Sequence, residues 1–406
     1  MTERDSKMAE GERRGRAKGK TSSPGKRIEG SSELPRRILM TTDTVGGSWA
    51  QSLELARALR VFGIQTVLAV LGPSPSAEDV IAAQDVPGLV LIEANLRLEW
   101  MADAGPDIER AGAWLLDLET EFTPDIIHLN GFAHAVLPWR APCLVAIQGC
   151  LGTWWPNKEQ SSLFAWSAYP AVVERALKAA DLVVTSTASG LARLEHQYGP
   201  LKNGRVIAVG RNPGDFAPTS QDEVIATGLR CWEDVTNIAA LDAIAPLLPW
   251  PVFSAGARDV ASPSTDETGV RELGQLPLQS LRSWLARAAI FVLPARAEPL
   301  NGLVLEAGYA GCALVLGDIP PLRETWNGAA VFVEPEDKDA LAAEINGLIH
   351  DPGRRRVLSR LAARRARKFT AINMARSYMA AYSEMLPRIK GEALDRARIA
   401  SVTAVR

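Results

Sequence analysis

A chain of 406 residues is long enough for two domains with separate cores, at roughly 100 to 200 residues each. Hydrophobic residues at 47%, charged residues at 23% and a formal net charge of -2 exclude a disordered, collagen-like or strongly basic nucleic-acid-binding protein. The longest apolar runs, such as Thr66 to Leu71 and Ala329 to Val333, fall far short of the roughly 20 residues that cross a bilayer.

Residues 1–34 mix Arg, Lys, Glu, Gly and Ser without periodicity, the pattern of a disordered tail. Met1 to Gly30 has no apolar centre and is not a secretory signal, so a cytoplasmic location is expected. Arg37 to Thr42 reads as a strand, followed by the turn Asp43-Thr-Val-Gly-Gly47 and a helix with Trp49, Leu53, Ala56 and Leu59 on one face. Gly63 stops that helix before a strand at Thr66 to Leu71. Further strands are expected at Leu89 to Ile92, Ile126 to Leu129, Cys143 to Ile147 and Leu182 to Thr185. The pattern restarts at Val206 to Val209, then Val224 to Thr227, Val252 to Ala255, Ile290 to Leu293, Ala313 to Leu316 and Ala330 to Val333. Helices fit at Asn237 to Ala245, Leu278 to Ala288, Gly302 to Ala310 and Asp337 to His350.

Such alternation predicts an α/β protein of two doubly wound, Rossmann-like domains with parallel sheets, 35–209 and 210–368. Residues 369–388 are expected to form a helix that packs back on the first domain through Met374, Tyr378, Ala381, Tyr382 and Met385, and 389–406 a tail. Ligands of such sheets bind beyond the carboxyl ends of the strands, so a cleft between the domains is the natural site. Arg354 to Lys368 is basic with no acidic residue and reads as a helix, either a solvated face or a peripheral contact with an anionic membrane.

Cys143, Cys150, Cys231 and Cys312 form no CxxC pair and read as buried thiols, and the four histidines form no metal motif, so neither a bound metal nor a cofactor is expected. Asp337-Lys-Asp339 reads as a helix cap with its first-turn acid. The chemistry concentrates in Glu298-Pro-Leu-Asn-Gly-Leu-Val-Leu-Glu306, which runs from a strand into a helix. Carboxylates suit pairs of sugar hydroxyls, and the peptides of Asn301 and Gly302 lie at a helix N-terminus that favours phosphate.

That stretch, with Ala307-Gly-Tyr-Ala-Gly-Cys-Ala-Leu-Val-Leu-Gly317 and Asp318-Ile-Pro-Pro-Leu-Arg-Glu324, resembles the Glu-x7-Glu region of retaining glycosyltransferase family 4, which has the GT-B fold. Trp326 to Val333, Asp43 to Gly47 and Asp125 to Asn130 extend the resemblance, which covers about residues 36–386. It implies a hexose transferred from a nucleotide-diphosphate sugar to a saccharide, lipid or small-molecule hydroxyl, with retention, and neither nucleic acid nor metal involved. By the same resemblance Glu306 meets the ribose and Glu298 the donor sugar. Backbone near Leu300, Asn301 and Gly302 meets the diphosphate, with Gly46 and Gly47 bending the first loop beneath it.

The family usually stabilises the leaving diphosphate with an Arg and a Lys. Arg230 fits the arginine, whereas Thr236 stands at the lysine position, leaving Arg211 and Arg296 as candidate replacement cations. Gln148 replaces a histidine near the donor sugar, and Val209 an asparagine ahead of Gly210. Trp154 and Trp155, next along from Gln148, offer indole faces to an acceptor, while His128 is either structural or a site residue. The three replacements keep open a second reading, a silent relative that binds a nucleotide sugar or partners another transferase. A sugar-nucleotide epimerase would need carboxylates and a histidine around the anomeric carbon, and this chain is poor in histidine; no G-x-G-x-x-G supports a nicotinamide enzyme.

Overall fold

The computed structural model describes residues 34–45, 47–101, 103–147, 149, 169–216, 220–228, 233–255, 269–274, 276–297 and 301–386. Two sheets organise them. The first contains Arg37–Asp43 (β1), Gln65–Leu71 (β2), Leu89–Glu93 (β3), Ile126–Leu129 (β4), Cys143–Ile147 (β5), Leu182–Thr185 (β6) and Gly204–Val206 (β7), in the order β3-β2-β1-β4-β5-β6-β7. The second contains Asp222–Thr227 (β8), Val252–Ser254 (β9), Arg271–Glu272 (β10), Ala288–Leu293 (β11), Ala313–Gly317 (β12) and Val331–Val333 (β13), in the order β10-β9-β8-β11-β12-β13. The strand pairs are parallel throughout. Both are Rossmann-like α/β sheets, and strand order reverses between β1 and β4 in one and between β8 and β11 in the other. Loops after these four strands therefore flank the crevices where such folds bind ligands.

The central strands are buried on both faces, as their unbroken apolar runs require. Ile38 and Met40 pack in one core with Leu53 and Leu59 of helix Ser48–Arg60, while Leu39 points into the opposite core with Leu115. Trp49, Leu53, Ala56 and Leu59 are all buried as the helical spacing predicts, and Gly63 takes the left-handed φ of 81° after that helix. One strand differs from expectation. Val206 to Val209 reads as apolar strand, yet β7 is Gly204–Val206 and the chain leaves the sheet at Ile207, whose N–H makes the last bond, to Thr185 O. Ile207 is buried by the first core rather than by strand pairing.

The chain passes between the two sheets twice, and the crossings lie side by side. Arg211 N–H donates to Phe369 O (3.0 Å) and Ala371 N–H to Arg211 O (2.9 Å). A Cβ on Gly210 would stand 2.3 Å from Thr370 O, so only glycine admits this approach. Residues 371–386 are helical and return to the first sheet, where Met374, Tyr378, Ala381, Tyr382 and Met385 share a core with Ile38 and Met40. The Tyr382 hydroxyl lies 2.7 Å from His128 Nδ1 on β4. His128 is 1% exposed, so it is a structural residue of this junction.

Candidate active site

The first loop of the site leaves β1 at Asp43. The Asp43 carboxylate accepts from Ser48 Oγ (2.6 Å) and Val45 N–H (2.9 Å), and Ser48 Oγ accepts in turn from Asp43 N–H (2.9 Å). This closed set fixes a turn whose last residue, Gly47, has φ 84°, a conformation that favours glycine before the helix begins. Gly46 lies outside the described residues.

Helix Asn301–Ala310 follows β11 and carries Gly302 and Glu306 one turn apart, hence on one face. Glu306 is 2% exposed, and its Oε1 accepts from Arg211 Nε at 2.6 Å. Arg211 Nη1 donates to Gln51 Oε1 (2.7 Å) and to Gly210 O (3.1 Å). Those bonds offset the desolvation of a pair buried on both sides. Arg211 Nη2 reaches the first turn of the helix at Gly302, where a Cβ would stand 2.1 Å from it. Among the described residues neither Nη2 nor Glu306 Oε2 has a hydrogen-bond partner. The Arg211–Glu306 pair thus presents an unpaired guanidinium NH2 group and an unpaired carboxylate oxygen at a helix N-terminus that attracts anions.

A second ionic cluster sits beside the first. Glu54, one turn beyond Gln51 on helix Ser48–Arg60, accepts from Asn212 N–H (3.1 Å) and from Arg282 Nη2 (3.3 Å), and Arg282 Nη1 reaches Asp215 at 2.6 Å. Burial raises the Glu54 carboxyl above its usual range, opposed by the charges of Arg211 and Arg282. On the other side, Glu324 accepts from Ala188 N–H (2.8 Å) and from Ser189 N–H and Oγ (both 2.9 Å), which seats helix Pro320–Trp326 against helix Ala188–Tyr198. Between these ties Ser186, Ala208, Val209, Leu305 and Thr325 line a cavity of about 110 Å³. Val209 thus presents an apolar side chain to the space between the two halves.

Thr236 closes the short helix Glu233–Thr236 after β8 and is buried. Arg296, after β11, donates its N–H to Val235 O (2.9 Å), which ties the loops following β8 and β11 together at the switch point of the second sheet. The Arg296 guanidinium pairs with Glu336. Asn237 completes the tie, donating to Pro294 O (3.1 Å) and Pro335 O (2.7 Å) from a left-handed backbone, φ 58°. Gln148, Trp154, Trp155, Arg230, Glu298 and Leu300 lie outside the described residues, as does the side chain of Asn301.

Residues 46–210 match the family model of the glycosyl transferase 4-like domain, and residues 239–351 that of glycosyl transferases group 1. The chain is a glycosyltransferase of the GT-B type. It is 26% identical to a glycogen synthase of Mycobacterium tuberculosis over 81% of this chain and 90% of that one. It is 27% identical to the O-antigen chain mannosyltransferase B of Escherichia coli, where the match spans 39% of this chain and 36% of the relative. In fold it is similar to sucrose-phosphate synthase from Thermosynechococcus elongatus, with a TM-score of 0.72 at 17% identity over 87% of this chain and all of the other. HepE of Anabaena, in complex with UDP and glucose, has a TM-score of 0.67 at 16% identity over 86% and 100% of the two chains.

In this glycosyltransferase the residues that sequence reasoning missed are Gln51, Glu54, Asn237 and Arg282, each buried and polar. Their buried polarity had no local signal, since Gln51 and Glu54 stand on the same helix as apolar core residues. The close approach at Gly302 gives a direct test. Gly302→Ala forces Arg211 from its place and is expected to cost about 1–3 kcal/mol in urea unfolding, the range of overpacked sites. Unchanged stability would show that the guanidinium moves freely.

Proposed function

We propose that this glycosyltransferase moves a hexose from a nucleotide-diphosphate sugar to a hydroxyl acceptor with retention of anomeric configuration, the donor on the second domain (210–368) and the acceptor on the first (35–209). The observation that carries this reading is the Arg211–Glu306 pair at Gly302, a helix N-terminus fitted with a free carboxylate oxygen and a free guanidinium N–H. Glu306 Oε2 accepts from a ribose hydroxyl. Arg211 Nη2 and the peptides at 300–302 meet the diphosphate, and Arg211 supplies a positive charge that Thr236 does not. HepE's complex with UDP and glucose supports a nucleotide-linked donor.

In the proposed reaction the bond between the anomeric carbon and the phosphate oxygen breaks as the acceptor oxygen approaches from the same face. The departing phosphate oxygen takes the acceptor's proton. Charge grows on the diphosphate, so cations held in place before the reaction stabilise the transition state more than the ground state. Glu298 holds the donor sugar, with Arg230 and Gln148 beside it and Trp154 and Trp155 facing the acceptor. No cofactor or metal enters this scheme. The acceptor is a saccharide, lipid or small molecule, and the protein works in the cytoplasm, in peripheral contact with the inner face of the membrane.

Mass spectrometry after incubation with UDP-, GDP- and ADP-linked hexoses tests the reading. Release of a nucleoside diphosphate with transfer of one hexose is expected, and NMR of the product should show the donor's anomeric configuration. Nucleotide binding without turnover would instead identify a silent relative, which the enzyme relatives do not favour.

A further inference from the structure

Helix Pro352–Ala366 and the two residues after it carry seven arginines and a lysine, with no acidic side chain from 352 to 368. Its inner side is accounted for. Ala362 and Ala366 are fully buried in the core that contains Val304, Leu305 and Ala307 of helix Asn301–Ala310. Three of the cations serve the fold: Arg354 pairs with Glu344 (2.7 Å), Arg355 lies over Trp250 and donates to Leu348 O and Ile349 O, and Arg365 donates to Thr325 O and Asn327 O.

Arg356, Arg360, Arg364, Arg367 and Lys368 are different. All five are exposed, and none makes a hydrogen bond or ion pair through its side chain among the described residues. At about 100° per residue, Arg356, Arg360, Arg364 and Arg367 fall within one arc of about 80°, opposite Ala362 and Ala366. Val357 and Leu361 lie beside that arc, about 20° and 60° beyond one edge of it, and are 47% and 37% exposed. The helix dipole accounts for cations in the last turn but not for Arg356 or Arg360. Like charges placed together repel one another, so their grouping around two exposed aliphatic side chains is unfavourable in water alone.

We propose that this face docks the protein on a bilayer containing anionic phospholipid, with the five cations among the headgroups and Val357 and Leu361 at the acyl boundary. Charge complementarity selects an anionic surface, since each basic side chain near such a surface contributes roughly fivefold in binding. The aliphatic pair selects a bilayer over nucleic acid, because neither side chain can hydrogen-bond a base or stack on one. This names the surface for the peripheral membrane contact proposed above and rests on that contact, while it is independent of the sugar chemistry.

The test is co-sedimentation of the full chain with vesicles of phosphatidylcholine alone, and with vesicles of phosphatidylcholine and phosphatidylglycerol in equal parts. The wild type should bind only the mixed vesicles and should be released in large part by salt. Arg356→Gln/Arg360→Gln/Arg364→Gln should weaken binding by on the order of a hundredfold, and Val357→Ser/Leu361→Ser should weaken what salt does not release. Both variants alter exposed residues, so an unchanged thermal midpoint confirms that they fold. Wild-type affinity in the triple variant would overturn the assignment of this face and leave peripheral contact to another part of the chain. A wild type that binds neither vesicle would overturn both, with hexose transfer still measurable on a soluble acceptor. Tighter binding to an RNA hairpin than to mixed vesicles, lost in the triple variant, would assign the face to nucleic acid instead.

Discussion

Replacing Glu306 by alanine is expected to remove nucleotide binding and to destabilise the fold together, because one carboxylate serves both. Its Oε1 compensates the Arg211 guanidinium in a buried setting, and Oε2 is the atom proposed to accept from the ribose. Removing one partner of a buried pair leaves an uncompensated charge and costs about 3–5 kcal/mol. Two further variants separate the effects. Glu306→Gln keeps the shape and an acceptor oxygen but not the charge, so a smaller stability loss should accompany a nucleotide affinity reduced by one to two powers of ten, the worth of roughly 1.5–3 kcal/mol for a hydrogen bond to a charged group. Arg211→Met/Glu306→Leu replaces the pair by apolar groups and should recover most of the stability. It should not recover binding. Calorimetric titration with UDP, GDP and ADP against urea unfolding reads the two properties apart. His128→Ala provides the control, since His128 lies in the junction of β4 with the helix at 371–386, and its folded fraction should bind nucleotide within about twofold of the wild type. Equal losses of affinity in Glu306→Ala and His128→Ala would sink the assignment of Glu306.

The two sheets were legible in the sequence because their central strands are buried on both faces and therefore read as short apolar runs, which turn residues and helical patterns separate. Ile126–Leu129, Cys143–Ile147 and Leu182–Thr185 appear at the expected bounds. Asp337 caps its helix by accepting from Ala340 N–H (2.8 Å), as its position before an apolar-periodic segment implies. Two stretches were not legible for physical reasons. Arg271–Glu272 is two exposed residues long, too short for any period, and Ile207 to Val209 is apolar because it packs at the crossing, not because it pairs. Burial and strand pairing select the same residue types.

The site divides along similar lines. Gly302 and Glu306 belong to one local motif, so a short stretch of sequence contains the relation between them. The bonds that orient Glu306 join residues 95 positions apart, and those that orient Arg211 join residues 160 apart. No periodicity encodes contacts of that separation. Arg211 stood among the candidate cations because a charge was missing at Thr236, but its burial follows only from the crossing it occupies, where Phe369 and Ala371 bind its backbone. Cys143 and Cys312 are buried thiols as expected, and burial pushes the Cys312 thiol up to about 12.

Acid should unlock the same crossing through His128. Burial pushes the His128 imidazole down to about 3 from an ordinary value of 6.5. Between those values the unfolded chain binds a proton that the folded chain does not, so stability is full above about pH 6.5 and falls as the pH drops toward 3. At about pH 4.5 the deficit is ~2–3 kcal/mol, from 1.36 kcal/mol for each unit below the unfolded value. His134, also buried and also lowered, adds in the same direction. The location decides the consequence. A protonated His128 would carry its charge among Tyr378, Tyr382 and the apolar core, where burial already raises the pKa of both phenols and keeps them neutral. The helix at 371–386 is the element that must yield, and it begins at Ala371, bonded to Arg211. Urea unfolding of wild type and His128→Gln at neutral pH and at about pH 4.5 tests this: the variant should lose stability at neutral pH but show a shallower dependence on acid. Nucleotide affinity of the wild type should fall over the same interval, because Arg211 loses the backbone partners that hold it against Glu306. An identical pH slope in the two proteins would place the acid sensitivity elsewhere and separate the helix from the donor site.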